Sequence, residues 1–90
     1  MKIAVIGASG LVGRKIIELL QKQENYNDYK IIPYCSKKSA GKTINNLTLQ
    51  ELCDKAFQKV DIALFSAGSE VSKLWAKNEV WYIEIDSILI

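Results

Sequence analysis

Histidine is absent from this chain of 90 residues, proline occurs once, and cysteine occurs twice, at Cys35 and Cys53. Without histidine, and with the two cysteines far apart, neither a zinc centre nor a Cys-His catalytic pair can be assembled from these residues. Both cysteines are read as small buried hydrophobes. Long apolar runs are also missing. The longest are only a few residues, as in Ile62-Ala63-Leu64-Phe65, against the roughly 20 that a membrane-spanning helix needs. Charge of either sign is not in excess: 12 basic and 10 acidic side chains leave a net +2, too little to imply a nucleic acid or a membrane surface as partner. Met1-Lys2 passes at once into Ile3-Ala4-Val5-Ile6-Gly7, too short for a signal-peptide core and followed by no small-residue cleavage pattern, so the expected compartment is the cytoplasm.

What is present is apolar content of 49%, sufficient for one compact domain over residues 1–90 but not for a cofactor domain and a substrate domain together. Lys2 to Gly7 is a β-branched run without polar alternation, the pattern of a strand buried on both faces of a parallel sheet. Val12, Ile16, Leu19 and Leu20 then recur at helical spacing, with Glu18 placed four residues before Lys22 for a helical ion pair. A polar loop from Gln23 to Asp28 precedes a second strand over Lys30 to Cys35, although Pro33 gives no ladder hydrogen bond there. Ser36 to Lys42 is a loop by composition. Thr43 to Glu51 is ambiguous, with a short edge strand expected around Leu47 and Leu49. Val60 to Ser66 is another buried strand, Glu70 to Asn78 suits a helix with Val71, Leu74 and Trp75 on one face, and Val80 to Asp86 reads as a final strand. Trp75 and Trp81 are assigned to packing. This order implies an α/β fold with a mostly parallel sheet and helices on both faces.

The segment with chemistry in it is Gly7-Ala8-Ser9-Gly10-Leu11-Val12-Gly13, which follows a strand and opens a helix. In that context the spacing G-x-x-G-x-x-G reads as the phosphate turn of a Rossmann-type dinucleotide-binding domain. Gly7 turns the chain off the strand, Gly10 lets backbone approach a pyrophosphate, and Gly13 lets the helix pack closely on the sheet. The amides of Ser9, Gly10, Leu11 and Val12 then face the phosphates at the positive end of the helix. After the second strand an acidic residue would bond a ribose 2′-hydroxyl, whereas basic and hydroxyl groups accept a 2′-phosphate. Cys35 to Lys42 contains no Asp or Glu, and Ser36, Lys38 and Ser39 are candidate donors to that phosphate. Ser66, Ala67 and Gly68 end a strand at the carboxyl edge of the sheet, where small residues leave room for a ribose or pyrophosphate.

Three segments together, Gly7 to Gly13, Ser36-Lys37-Lys38-Ser39-Ala40-Gly41-Lys42, and Val60-Asp61-Ile62-Ala63-Leu64-Phe65-Ser66-Ala67-Gly68, resemble the N-terminal domain of bacterial aspartate-semialdehyde dehydrogenases. There the second segment usually reads S-x-R-S-A-G-K and the third is close to V-D-I-A-L-F-S-A-G. The resemblance implies NADP as cofactor and the reductive dephosphorylation of aspartyl phosphate to the semialdehyde. It carries cofactor contacts onto Ser9 to Val12, Lys38, Ser39 and Ser66 to Gly68. Lys38 stands where the family has arginine, keeping the charge but losing the bidentate fork.

The chain also departs from the family, which continues V-I-D-N-S-S-A-F-R with a phosphate-binding arginine and later supplies a catalytic cysteine and a general-base histidine. Here Ile85-Asp86-Ser87 leads to Ile88-Leu89-Ile90, and neither cysteine has the nucleophile's context. The expectation is an N-terminal piece without the catalytic and dimerisation domain, silent alone, and self-associating through its C-terminal edge strand. Two other readings are a non-catalytic nucleotide-binding or scaffolding module that partners another polypeptide, and an N-acetyl-glutamyl-phosphate reductase, which also begins with a G-A-S-G turn. Ser39 to Lys42 and Phe65 to Gly68 speak against the latter.

Overall fold

A computed structural model describes residues 1–53, 55, 60–66 and 81–85. Its centre is β1 (Lys2–Ile6), followed by helix α1 (Leu11–Gln21) and β2 (Lys30–Cys35). Two short strands, β3 (Thr43–Ile44) and β4 (Leu47–Thr48), form an antiparallel hairpin beside the main sheet. The main sheet is completed by β5 (Gln50–Glu51), β6 (Ile62–Phe65) and β7 (Trp81–Glu84), in the order β5-β2-β1-β6-β7. Every pairing in it is parallel. The chain thus builds outward from β1 through β2 to β5, then returns to the other side of β1 for β6 and β7.

β1 shows why an unbroken apolar run precedes the first turn. Ile3 and Val5 face α1 and join Ile16, Ile17, Ile31, Cys35 and Leu49 in one buried cluster. Ala4 and Ile6 face the opposite way, with Ile32, Tyr34, Ala63 and Phe65 in a second. Side chains alternate between the two faces of a strand, so a strand covered on both must be apolar throughout. Pro33 is accommodated by the same geometry. Tyr34 turns its carbonyl toward β1, where it accepts from the amides of Gly7 and Ala8, while the Cys35 carbonyl accepts from Leu52 on the other side. The nitrogen of Pro33 therefore points to the β5 side, and β5 pairs only from Tyr34 onward. The missing donor falls where no ladder partner exists.

The helical face differs by one position from its sequence pattern. Ile16 and Ile17 are buried and Val12 and Leu20 pack at the margin, whereas Leu19 is 41% exposed. The assignment of Cys53 also requires correction: it is exposed, and only Cys35 is buried. Cys53 follows the end of β5, past the last core residue of that strand pair, and has no sheet face to occupy. The ambiguous stretch resolves into two elements. Asn45 and Asn46 both have positive φ (52° and 67°) and make the two-residue turn of the β3–β4 hairpin, a conformation that asparagine tolerates. Leu49 then enters the core at 2% exposure and β5 follows as the edge strand. The expected helix over 70–78, with Ala67, Gly68 and the side chains of Trp75 and Trp81, lies outside the described residues.

On the exposed flank of α1, Glu18 accepts from Lys15 and Lys22, each at 2.9 Å. The hydrogen bonds from Lys15 and then Lys22, reinforced by their charges, hold its carboxyl at about 2 against an ordinary 4.5. A carboxylate depressed on folding contributes fully above its ordinary value and loses that contribution as pH falls from about 4.5 toward 2. An NMR titration is expected to find Glu18 well below the ordinary 4.5, and Lys15→Gln with Lys22→Gln is expected to return it toward that value. An unchanged midpoint in the double variant would remove the lysines as the cause.

A second prediction concerns the packing of α1 on β1. A Cβ built on Gly13 would lie 2.2 Å from the Gly7 carbonyl oxygen and 2.7 Å from Ala8 Cα. Both obstacles are backbone. Gly13→Ala is expected to cost about 3 kcal/mol or more in urea unfolding, at or above the upper end of ordinary overpacking.

Candidate functional site

Parallel pairing in register brings the ends of β2, β1 and β6 to one edge: Ile6 lies opposite Tyr34 on one side and Phe65 on the other. Gly7, Ser36 and Ser66, the first candidate contacts after each of these strands, follow within two residues of them. The strand order reverses at β1, so the carboxyl ends of β1 and β6 border the topological switch point of the sheet, the place where open α/β folds bind ligands.

Leaving β1, Gly7 adopts φ +87°, a conformation that strains any residue with a Cβ. Its amide and that of Ala8 both donate to the Tyr34 carbonyl at 3.0 Å, and the Gly10 amide returns to the Gly7 carbonyl at 3.1 Å. One of the four amides assigned to phosphate is therefore engaged by the turn itself. The first i→i−4 bond of α1 runs from Arg14 to Gly10, so the amides of Leu11, Val12 and Gly13 lack an intrahelical acceptor. No side chain caps this helix end, and its first turn carries no acidic residue. Among the described residues, the positive end of the helix thus has neither a side-chain cap nor a first-turn carboxylate. Arg14 adds the chain's one guanidinium, its Nε donating to the Ser9 carbonyl at 3.1 Å.

Gly10 is informative because nothing among the described residues requires it. Its φ is −82°, accessible to any residue, and among the described residues an added Cβ would meet only the Gly7 oxygen at 3.6 Å, an ordinary contact. Gly7 is glycine for conformation and Gly13 for crowding. For Gly10 the remaining physical reason is an open cradle that a side chain would fill, and this cradle, lined by unpaired amides, fits an anionic group such as a pyrophosphate.

Ser36 to Ser39 stand beside the turn. Ser36 and Lys38 are exposed and Ser39 is half-buried, in a single 3₁₀ turn over Lys37–Ser39 closed by Ser39 N–H to the Ser36 carbonyl at 3.1 Å. Two lysines on that turn make this end of the edge electropositive. A carboxylate that the local sequence does not reveal comes from β5, which pairs Glu51 with Cys35 just before the loop. Burial, with the Glu51 charge adding to it and Lys42 opposing, pushes the Cys35 thiol above its ordinary range. Cys35 is accordingly a protonated core group at neutral pH, with no nucleophilic character. Burial likewise raises Tyr34, with a smaller contribution from Cys53.

On the other side of β1, Ser66 turns inward. Its hydroxyl lies 3.0 Å from the Ile6 carbonyl oxygen and 3.3 Å from that of Gly7. Sequence reasoning places Ser66 among the cofactor contacts; the structure brings its side chain onto the turn. Two grooves of about 470 and 520 Å³ flank the β3–β4 hairpin where it rests on α1, tied by Gln21 to the Asn45 carbonyl at 3.0 Å, and the larger reaches the glycine turn through Leu11 and Arg14. Among the described residues no helix is long and apolar enough to cross a membrane.

Known proteins share this arrangement. Residues 2–81 match the family model described as semialdehyde dehydrogenase, NAD binding domain. The aspartate-semialdehyde dehydrogenase of Legionella pneumophila is 37% identical over 84 residues, covering 89% of this chain and 24% of the relative. That of Rickettsia bellii is 45% identical over 75 residues, covering 79% of this chain and 22% of the relative. The chain thus spans about a quarter of the length of the relatives it matches. Among solved structures, aspartate semialdehyde dehydrogenase II of Vibrio cholerae, complexed with ASA, superposes with a TM-score of 0.70 at 32% identity, over 96% of this chain and 31% of that one. With the glycine turn, the parallel register and the sequence match in agreement, the chain belongs to the semialdehyde dehydrogenase NAD-binding domain family.

Proposed function

We propose that the whole chain is the NADP-binding domain of an aspartate-semialdehyde dehydrogenase of the cytoplasm, one that reductively dephosphorylates aspartyl phosphate to the semialdehyde. The observation that carries the reading is Gly10, a glycine that neither conformation nor crowding demands, at the unpaired end of a helix. On this reading Gly7, Gly10 and Gly13 shape the turn, and the amides of Ser9, Leu11 and Val12 hold the pyrophosphate. Ser36, Lys38 and Ser39 take the 2′-phosphate, and the backbone from Ser66 through Ala67 and Gly68 borders the cofactor. NADP(H), when bound, supplies or accepts the hydride. The 2′-phosphate preference rests on the two lysines and two hydroxyls of Ser36 to Ser39, against one carboxylate, Glu51, one strand further out.

Chemistry at the substrate needs a thiolate, a proton acceptor and a binder for the substrate's phosphate. The chain has no histidine, and the Cys35 thiol is buried and protonated. The chain alone is therefore proposed to bind NADP without turnover. β7 ends the described sheet with Ile83 49% exposed, which favours self-association along that edge; sedimentation as a clean monomer at high concentration would oppose this part.

Fluorescence titration with NADPH and NADH tests the cofactor assignment. NADPH is expected to bind more tightly, and Lys38→Ala to weaken it about tenfold, the scale of one charge-assisted hydrogen bond, with NADH unaffected. Gly10→Ala is expected to lower affinity for both at least tenfold while costing no more than about 1 kcal/mol of stability, as an N-cap change. Equal affinities for the two cofactors would remove the NADP assignment. An assay of the chain with NADP, phosphate and aspartate semialdehyde is expected to give no turnover above background, and turnover would overturn the silent reading.

A further inference from the structure

The glycine turn hangs on the orientation of one peptide group. A peptide is planar, so the Gly7 carbonyl and the Ala8 amide move as a unit. Gly7, without a Cβ, does little to restrict that plane itself. The fold restricts it from both neighbouring strands. From β2, the Tyr34 carbonyl accepts the Ala8 amide at 3.0 Å. From β6, the Ser66 hydroxyl reaches the Gly7 oxygen at 3.3 Å and the Ile6 oxygen at 3.0 Å, while the Ser66 amide also donates to Ile6 at 2.9 Å. The same Gly7 oxygen receives the Gly10 amide and lies against Gly13. A rotation of this one plane would therefore swing the start of α1 and every amide between Ser9 and Val12.

We infer that Ser66 is a positioning residue for the nucleotide turn: its hydroxyl, bridging the Ile6 and Gly7 carbonyls, locks the Gly7-Ala8 peptide so that the turn presents its amides to a diphosphate. The inference rests on the nucleotide reading above and adds to it, because the side chain acts through Gly7 and not by its own contact.

The test compares the unsubstituted chain with Ser66→Ala, Ser66→Thr and Ser66→Val. Threonine and valine match in volume and differ in the hydroxyl, so this pair separates the bond from packing even if the alanine variant does not fold. In the free chain, amide hydrogen exchange at Gly10 is expected to quicken about fivefold in the valine variant and to stay near the unsubstituted rate in the threonine one, with the amide of Lys22, which bonds back to Glu18 at the end of α1, unchanged in both. NADPH affinity is expected to fall about fivefold with valine and to be retained with threonine, whereas binding of 2′-AMP, which has no 5′-phosphate to place on the turn, is expected to be equal in all. Equal Gly10 exchange in the threonine and valine variants overturns the inference, as does a loss spread evenly over all amides and both ligands. Failure of the unsubstituted chain to bind NADPH overturns the nucleotide reading instead, and the exchange comparison still decides whether Ser66 braces the turn.

Discussion

The carbonyl of Gly7 is where the strand, the turn and the helix of this protein meet. It accepts the Gly10 amide, lies within reach of the Ser66 hydroxyl, and stands so close to Gly13 that a single methyl group there would overlap it. Close approach of helix to strand is what lets Ile16 and Ile17 reach Ile3 and Val5, forming the cluster on that face of the sheet. The same approach aims the unpaired end of α1 at the carboxyl edge. Packing and binding geometry thus depend on one contact, and it admits no side chain at position 13.

Around that contact the sheet is ordered so that functionally different loops become neighbours. β2 and β6 both pair with β1, on opposite sides, although roughly thirty residues separate them in sequence. Parallel pairing puts all their carboxyl ends at one edge, and the reversal of direction at β1 makes the ends of β1 and β6 the switch point of the sheet. The electropositive turn at Lys37–Ser39 falls on one side of the glycine turn and Ser66 on the other. A dinucleotide is elongated, and a site spread along a sheet edge suits such a shape better than an enclosed cavity would.

Much of this was legible beforehand, for reasons that differ between elements. Ile3 to Ile6 and Ile31 to Cys35 are buried on both faces, so continuous apolar character marks them without help from context. The hairpin over Thr43 to Thr48 was not legible as such. Its arms are two residues each, too short for any periodicity, and the one usable signal was Asn45-Asn46, a pair that tolerates positive φ. Helical spacing alone puts Leu19 on the buried face of α1, because it cannot locate the centre of an apolar arc. Residue type alone puts Cys53 in the core, whereas its position past the end of β5 leaves it exposed.

By itself the sequence determined the elements whose signal is local: the apolar strands, the amphipathic helix, the glycine turn between them, and the lack of any histidine for acid-base work. These follow from side-chain chemistry within a few residues, where distance along the chain and distance in space coincide. Only the tertiary structure decided which glycine serves which purpose, that Glu51 arrives beside the end of β2, and that the Ser66 hydroxyl is turned onto the carbonyls of Ile6 and Gly7. Each of these is a contact between segments that strand register brings together, and register is a property of the assembled sheet.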